Sequence, residues 1–346
     1  MNCKEITTLE QVNALKIAPD RKFFSADHEE IETGATTDIY FVRTMEILSD
    51  LGIADTEVVG EVFGRRDGIV SGVEEVKNLL QGKQVEVWSL PEGVAFQRKE
   101  VIMRIKGPYD QFGAFETVFL GMLASSSGWA TAAREAKEAA GDKPVICFGA
   151  RHVHPSVAPV MERAALVGGV DGASCILAAK LAGKAPQGTV PHAVFLIVGD
   201  TLEVAKAYHQ LMPPDAKRIM LVDTFKDEAE ESLRLARELK DALDGIRLDT
   251  PSERGGVTPE LVKEVRFRLD AEGFQHVGIF VSGGLSPERI KLLSAAGASA
   301  FGVGSYISAA SPIDMTMDLK MINGKPVAKR GRLPGLTPTD RLVRIL

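Results

Sequence analysis

The second part of the chain alternates short apolar segments with helical segments, and this alternation is the feature that most restricts its fold. The 346-residue sequence changes character near residue 125, and from there the order strand, turn, helix repeats. The apolar segments predict strands at 144–148, 173–177, 218–222, 245–248, 277–281 and 300–303. Such alternation is typical of a parallel sheet, and this number of units favours an α/β barrel. Because only about six strands are clear, we expect the barrel to be irregular or incomplete.

Helix signals lie between these strands. The segment 227–243 carries charged residues on one face and leucines on the other, which indicates an amphipathic helix. Thr258-Pro259 and Ser286-Pro287 each place an N-cap residue before a proline at the first helical position. These signals predict further helices directly after residues 258 and 286.

The first part of the chain has a different pattern. It predicts strands at 55–63, 84–88 and 100–106 and a helix at 111–126. The tail leaves the strand-helix rhythm, and Asn323-Gly324 is typical of a hairpin turn. We therefore predict an α/β N-terminal domain of residues 1–124 completed by a returning tail, 312–346, and an α/β barrel domain of residues 125–311.

Composition excludes several classes of protein. Hydrophobic residues make up 45% and charged residues 25% of the chain, as in ordinary globular proteins. A net charge of -6 and the lack of any Lys/Arg block argue against nucleic acid as a partner. Cys3, Cys147 and Cys175 are far apart, which predicts neither a disulfide framework nor a zinc site. No signal peptide or membrane-length apolar run is evident, so we expect a cytoplasmic protein with no membrane partner.

One histidine stands out because of its neighbours. His192 follows a Gly188-Thr189 turn and Pro191, and it precedes the apolar run 193–198. This placement predicts a buried element that begins at His192. The imidazole would face a pocket, where it can act as acid, base or nucleophile. A single histidine beside apolar residues is more often structural, so its role depends on what surrounds it.

Polar or glycine-rich groups follow nearly every predicted strand. In α/β barrels the chemistry lies at the carboxyl ends of the strands. Arg151 and His152 come shortly after the strand at 144–148, Asp223 follows the strand at 218–222, and Asp249 follows the strand at 245–248. Each could be structural by itself, since Asp-Thr is a common helix cap. Together they predict an active site at this edge of the sheet.

Paired glycines end the last two predicted strands. Gly-Gly before a helix start leaves backbone N–H groups free to form an anion site. Barrels often bind phosphate at this position, so we predict a phosphomonoester site formed by Ser282, Gly283, Gly284, Gly302, Gly304 and Ser305. The chain has no GxxxxGK[ST] sequence, which excludes a P-loop.

Acidic and basic side chains complete the predicted site. Asp223 and Asp249 would bind either ribose hydroxyls or Mg²⁺ through its water shell. Arg151, with Arg247 and Arg134 as further candidates, would neutralise a carboxylate or a pyrophosphate. A phosphate site, carboxylates, arginines and a titratable histidine indicate a sugar-phosphate or phosphoribosyl substrate.

Several longer motifs resemble a known family. They are TDIYFVR from Thr37, SSSGWAT from Ser125, FGARHVHP from Phe148, GGVDGAS from Gly168, GTVPH from Gly188, VDTFKDE from Val222, IRLDT from Ile246, VSGGL from Val281 and FGVGS from Phe301. In this order, over nearly the whole chain, they resemble the nicotinate phosphoribosyltransferases. These are type II phosphoribosyltransferases, and the likeness is strongest to their compact archaeal and bacterial branch.

The resemblance implies a reaction and roles for residues. The reaction is transfer of phosphoribosyl from PRPP, with Mg²⁺, to the ring nitrogen of nicotinate, aided by ATP hydrolysis through a phosphohistidine at His192. Tyr40 would stack on the pyridine ring from the partner subunit of a homodimer. Such dimers could in turn assemble into a larger oligomer. The strand ends and the resemblance together give His192, Arg151, Asp223 and Asp249 as catalytic candidates. They give as substrate-binding candidates Tyr40, Thr131, Arg134, Phe148, His152, Arg247 and Thr250.

Two departures and three alternatives accompany this reading. Many members carry a second arginine where this chain has His152, and the zinc-binding cysteines of some archaeal relatives are missing from the tail, so we expect no zinc. A quinolinate phosphoribosyltransferase would need further cationic residues for its second carboxylate. A nicotinamide-specific enzyme would differ at one or two side chains, and an acidic residue at the ring substituent would favour it. A non-catalytic phosphometabolite-binding barrel is the third alternative.

Overall fold

A computed structural model describes residues 5–346, so Cys3 lies outside the described residues. The chain forms two compact units, one of residues up to Thr131 together with Ser311–Leu346, and one of Ala132–Ala310. The helices, in chain order, are α1 (Leu9–Ala14), α2 (His28–Glu32), α3 (Ile39–Asp50), α4 (Val73–Leu80), α5 (Glu116–Ala140), α6 (Ala158–Gly168), α7 (Ile176–Leu181), α8 (His192–Val198), α9 (Thr201–Leu211), α10 (Glu228–Leu239), α11 (Pro259–Ala271), α12 (Pro287–Ala296) and α13 (Ser305–Ser308).

The strands form one six-stranded sheet in each unit and a small two-stranded sheet, β2-β4, in the first. In chain order they are β1 (Glu57–Gly64), β2 (Gly68–Ile69), β3 (Glu86–Ser89), β4 (Ala95–Phe96), β5 (Val101–Pro108), β6 (Val145–Cys147), β7 (Gly172–Ala173), β8 (Ile219–Leu221), β9 (Gly245–Leu248), β10 (Gly278–Ser282), β11 (Ala300–Val303), β12 (Met315–Ile322), β13 (Lys325–Pro326) and β14 (Val343–Arg344).

The sheet of the first unit combines strands from both ends of the chain. Its order is β13-β12-β1-β5-β3-β14, with β1 antiparallel to both β5 and β12. The outermost strands, β13 and β14, both come from the tail, and β14 pairs with β3. Val62, Ile102 and Phe119 are fully buried in the core of this unit. The tail therefore shares one hydrophobic core with the strands of the first part of the chain.

The predicted hairpin of the tail is confirmed. Asn323 and Gly324 have φ angles of 47° and 73°, the left-handed values that a two-residue type I′ turn requires. Ile322 and Lys325 pair on either side of this turn, which joins β12 to β13.

Helix α5 is longer than the sequence predicted. It begins at Glu116 rather than at residue 111, and it continues to Ala140 through the position where the sequence changes character. The segment after residue 129 is rich in alanine and has no proline, so its helix propensity is high. No helix in the described part of the chain has the length and apolar content needed to cross a membrane.

The second unit is built on a parallel sheet in the order β7-β6-β11-β10-β9-β8. Every neighbouring pair is parallel. β7 and β8 are its two edges, so within the described residues the sheet is open. The predicted α/β class is confirmed, with a barrel-like second domain that follows an N-terminal α/β domain.

Two local predictions in this unit are wrong. The strand predicted at 173–177 ends at Ala173, and Ile176 already begins α7, because only Ala178 and Ala179 of this helix face the core. The apolar run after His192 is not a buried element but the short helix α8, in which Phe195 alone is buried and Ile197 is 85% exposed. A helix points apolar residues to all sides, so a one-turn contact with the core leaves the others in solvent.

The two predicted helix starts are confirmed. Thr258 caps α11 by accepting a hydrogen bond from Leu261 N at 3.2 Å, with proline at the first helical position. Ser286 does the same for α12, accepting from Arg289 N at 3.3 Å. These caps fix where α11 begins after β9 and where α12 begins after β10.

Candidate active site

Three neighbouring strands of the second unit place polar groups side by side at their carboxyl ends. Asp223 lies beyond β8, Asp249 directly follows β9, and Ser282 ends β10. The backbone N–H of Asp249 donates to Asp223 Oδ2 at 2.6 Å, and Ser282 Oγ donates to Asp249 Oδ1 at 2.8 Å. The parallel sheet thus joins these three residues into one hydrogen-bonded row, although Asp223 and Ser282 are 59 positions apart in the sequence.

His192 lies against this row. It is the first residue of α8, and its Nδ1 is 3.1 Å from Thr224 Oγ1. Its Nε2 is 3.7 Å from Asp223 Oδ1 and 3.6 Å from Asp249 Oδ2. The imidazole is therefore held by a hydroxyl on one side and faces two carboxylates on the other, with 36% of the side chain exposed.

Asp223 is an unusual carboxylate. Its side chain has no exposed surface, and its Oδ1 atom has no hydrogen-bond partner among the described residues. Burial raises the pKa of Asp223 above its ordinary value, while the Asp249 N–H and the charge of a protonated His192 act in the opposite direction. A buried carboxylate oxygen without a partner is expensive, so this arrangement is suited to a bound cation or a protonated imidazole.

Arg247 organises the wall beside the two aspartates. Its Nε donates to Ser282 Oγ at 2.8 Å, its Nη1 to Thr189 Oγ1 at 2.7 Å, and its Nη2 lies 3.4 Å from Asp249 Oδ2. Burial lowers the pKa of the Arg247 guanidinium, and Asp249 partly offsets this effect. The guanidinium lies 5.3 Å from the centroid of the Phe148 ring, which makes a cation–π contact.

A second cationic group follows β6. Arg151 and His152 lie in the 3₁₀ turn Ala150–His152, and Arg151 Nε donates to His152 Nε2 at 3.3 Å. His152 Nδ1 is 3.1 Å from Ser308 Oγ. Burial, then the charge of Arg151, lowers the pKa of His152. The Arg151 side chain itself is exposed.

The glycines of the predicted phosphate site occupy their positions for different structural reasons. Gly283 and Gly284 have φ angles of 91° and 57°, which favour glycine, and no atom lies within 4 Å of where a Gly284 Cβ would be. A Cβ on Gly302 would lie 2.5 Å from the Phe148 ring, so this glycine makes room for a side chain. A Cβ on Gly304 would lie 2.8 Å from His152 Cε1. A Cβ on Gly283 would lie 3.1 Å from Asp249 Oδ1, so Gly284 is the open position of this turn, and Ser305 is exposed at the start of α13.

Other predicted site residues are engaged elsewhere within their own units. Thr250 Oγ1 donates to the buried Glu228 at 2.9 Å, and Arg134 Nε donates to Gly168 O at 2.6 Å. Thr131 belongs to the first unit, where its hydroxyl donates to Ser127 O at 2.6 Å and accepts from Ile69 N at 2.9 Å. Tyr40 also belongs to the first unit, on α3, and is 54% exposed.

Comparison with known families identifies the type of protein. The N-terminal domain of quinolinate phosphoribosyl transferase matches residues 38–127, and the C-terminal domain of the same family matches residues 129–318. The chain belongs to the quinolinate phosphoribosyltransferase family. This confirms that it is a type II phosphoribosyltransferase, the class that its motifs resemble.

The individual proteins that this chain resembles carry two different activity names. A nicotinate phosphoribosyltransferase of Mycobacterium tuberculosis is 31% identical over 249 residues, 69% of this chain and 52% of that protein. One from Bacillus subtilis is 30% identical over 225 residues, 64% of this chain and 45% of that protein. The structure of nicotinate-nucleotide pyrophosphorylase from Pyrococcus furiosus is 44% identical, with a TM-score of 0.87, over 91% of this chain and 82% of that one. The chain spans about half the length of the two curated relatives.

The site of this phosphoribosyltransferase contains residues that the sequence reasoning missed. Thr189 is hydrogen-bonded to Arg247, and Thr224 to His192. Glu162 accepts a hydrogen bond from Ala150 N, in the turn that carries Arg151. The first two are neighbours of residues that had been singled out, in GTVPH and VDT, so adjacency was an available signal. Glu162 lies inside a helix with no motif, and only the fold shows its position.

Proposed function

We propose that this phosphoribosyltransferase transfers the phosphoribosyl group of PRPP to the ring nitrogen of nicotinate, forming nicotinate mononucleotide and pyrophosphate. The observation that carries the proposal is His192, held by Thr224 and facing Asp223 and Asp249. Transfer from PRPP by itself does not require such a histidine, whereas coupling to ATP does. The similarity to the nicotinate phosphoribosyltransferase of M. tuberculosis supports the same substrate.

The pyridine ring would lie against Phe148. Its neighbour Arg247 is a partly buried cation 5.3 Å from the ring centroid and is already fixed by Thr189 and Ser282. A fixed guanidinium beside an aromatic face suits an aromatic monocarboxylate, because the ring stacks while the carboxylate meets the cation. Arg247 would therefore recognise the nicotinate carboxylate.

The leaving group would meet Arg151. This side chain is exposed, and its one hydrogen bond among the described residues leaves from Nε, so both Nη groups remain available for an anion. Cleavage of the C1–O bond of PRPP gives an oxocarbenium-like ribose and places negative charge on the departing pyrophosphate. A preorganised guanidinium stabilises that charge as it develops. The Gly283-Gly284 turn would bind the 5′-phosphate through its backbone N–H groups.

Mg²⁺ would accompany PRPP, and the residues present fit it. Asp223 and Asp249 lie next to each other, and the buried Oδ1 of Asp223 has no hydrogen-bond partner among the described residues. No group of three or more His, Cys, Asp or Glu in the described chain could hold a metal ion, so phosphate oxygens and water would complete the coordination. When bound, the ion would neutralise phosphate charge.

His192 would accept the γ-phosphoryl group of ATP. When Nδ1–H donates to Thr224, Nε2 keeps its lone pair and is the nucleophile. The Nε2–P bond forms as the P–O bond to ADP breaks, and water later takes the phosphoryl group to give inorganic phosphate. Asp223 and Asp249 stabilise the positive imidazole formed in between.

The proposal includes a homodimer with shared sites. Tyr40 is 54% exposed, so its ring is available to stack on a substrate. Tyr40 of the partner subunit would cover the pyridine bound against Phe148. Tyr40→Ala should therefore raise the KM for nicotinate roughly tenfold with little change in kcat, whereas Tyr40→Phe should retain the wild-type KM. An unchanged KM in Tyr40→Ala would exclude this role.

One assay tests the reaction. Purified protein is given PRPP and Mg²⁺ with nicotinate, nicotinamide or quinolinate, each with and without ATP, and the mononucleotide is separated and quantified. We expect product from nicotinate and a rate increase with ATP. Absence of mononucleotide from all three pyridines would refute the enzyme and leave a phosphometabolite-binding protein.

A second candidate is quinolinate phosphoribosyl transfer with decarboxylation. The family description and the 44% identity with the nicotinate-nucleotide pyrophosphorylase structure favour it. Quinolinate carries one more carboxylate than nicotinate, and the proposed site offers the pyridine one guanidinium, Arg247 beside Phe148, because Arg151 is assigned to the leaving group. In the same assay, product from quinolinate with release of CO₂ and no response to ATP would establish this activity instead.

A further inference from the structure

Glu162 is a buried charge that the proposed reaction does not use. It lies on α6 and has 0% exposure. Glutamate is rarely fully buried unless it is paired, because burial of an uncompensated carboxylate is expensive. Its hydrogen-bond partners therefore indicate why the position is acidic.

The Glu162 carboxylate joins the carboxyl ends of two strands. Its Oε1 accepts from Ala150 N at 3.0 Å and from Ser174 Oγ at 2.9 Å, and its Oε2 accepts from Cys175 N at 2.6 Å. Ala150 follows β6, whereas Ser174 and Cys175 follow β7. One side chain thus fixes the start of two neighbouring turns at the edge of the sheet where the site lies.

The turn after β6 is held closely against α6. Ala150 is the first residue of the 3₁₀ turn that carries Arg151. A Cβ on the preceding Gly149 would lie 2.6 Å from Met161 Cε, so only glycine lets the chain approach the helix this closely. Arg151 is exposed, and its own contact is with His152 in the same turn. Its location therefore depends on how the turn is anchored.

We propose that Glu162 is a positioning residue for Arg151. Its hydrogen bond to Ala150 N holds the turn so that the Arg151 guanidinium meets the pyrophosphate, and in naming that anion the inference rests on the proposed function. A carboxylate is needed because three donors converge on two acceptor oxygens. Glutamine has one acceptor oxygen, and its NH₂ group would face at least one of these donors.

A double-mutant cycle in pyrophosphate affinity tests the proposal. Mg²⁺-pyrophosphate binding is measured by calorimetry for the wild type, Glu162→Gln, Arg151→Ala and the double variant. We expect Glu162→Gln to weaken binding about tenfold, because a buried donor loses its acceptor. In the Arg151→Ala background the same substitution should have no further effect, since the residue it positions is gone. Additive effects of the two substitutions would overturn the proposal.

Glu231 provides a matched control. It is also a buried glutamate, 1% exposed, on a helix of the same unit, but its partner is Arg234 on the same helix. Glu231→Gln should lower the melting temperature without changing pyrophosphate affinity. If Glu162→Gln behaved in the same way, its role would be structural only. Glu162→Asp, which keeps both acceptor oxygens, replaces the glutamine variant in the cycle if that variant does not fold.

Binding separates this inference from the proposed reaction. A wild-type protein that makes no mononucleotide but shows the expected coupling would refute the reaction and support the role of Glu162. A wild-type protein that binds no pyrophosphate would overturn the role of Glu162 as well.

Discussion

His192 Nε2 lies 3.7 Å from Asp223 Oδ1, a buried carboxylate oxygen that has no hydrogen-bond partner among the described residues. The imidazole is held by Thr224 and is partly exposed, whereas the Asp223 oxygen is left without a partner by the described residues. Folding therefore leaves one buried carboxylate oxygen of the site unpaired, and a bound cation or a protonated imidazole would pair with it. Active sites commonly keep such unfavourable arrangements at the expense of stability.

Asp223→Asn should accordingly raise stability while removing activity. The folded-state pKa of Asp223 lies above its ordinary value of 3.8 because of burial. The favourable contribution of such an acid is present below that ordinary pKa and is lost as pH rises through the folded pKa. At pH 7.5 the variant without ligands should melt higher than the wild type, and the difference should shrink as the pH approaches 4. We expect activity to fall about 100-fold or more.

Asp200 is the control of opposite sign for that measurement. Its hydrogen bond with Arg234 holds its pKa below the ordinary value, so its contribution is present above that value and is lost in acid. Asp200→Asn should lower the melting temperature at pH 7.5 and leave turnover unchanged. A lower melting temperature for Asp223→Asn as well would contradict the conclusion that the buried Asp223 carboxylate destabilises the folded protein without ligand.

His192→Ala should abolish the stimulation by ATP and keep a slow ATP-independent transfer, because PRPP and nicotinate are bound by other residues. Label from γ-phosphate-labelled ATP should appear as an acid-labile phosphoprotein in the wild type and not in the variant. His276→Gln is the control, since His276 is an exposed histidine of the same unit that contacts Lys240 O. Stimulation that survives in His192→Ala would rule out the phosphohistidine.

The fold class was predictable because alternation of apolar and helical segments has few solutions. The strand ends were predictable as well, and Asp223, Asp249 and His192 do meet. The sequence did not show which side chains of a segment face the core. The run after His192 was assigned to a buried element because apolar content does not say which side faces the core, and Phe195 alone does. Glu162 was missed because its three partners come from two other segments of the chain.

Arg151→Ala and Arg247→Ala should differ in their effect on stability. Arg151 is exposed, so its loss should leave the melting temperature unchanged and reduce kcat/KM about 100- to 1,000-fold through the leaving group. Arg247 holds the buried Ser282 and the partly exposed Thr189 and Asp249, and its removal loses these hydrogen bonds at about 0.5–1.5 kcal/mol each. Arg247→Ala should therefore lose both activity and stability. Equal melting temperatures for the two variants, in thermal denaturation without ligand, would contradict the structural role of Arg247.

Gly284→Ala separates phosphate binding from backbone strain. Gly284 has a φ of 57° and open space where a Cβ would be, so alanine adds about 1 kcal/mol of backbone strain and also places a methyl group at the proposed 5′-phosphate turn. Gly273 has a φ of 85° and the same open space, and it lies in the turn that follows α11. Both alanine variants should lose similar stability, but Gly284→Ala alone should raise the KM for PRPP, by roughly tenfold or more. If the two variants had the same KM for PRPP, the phosphate would have to bind away from the Gly283-Gly284 turn.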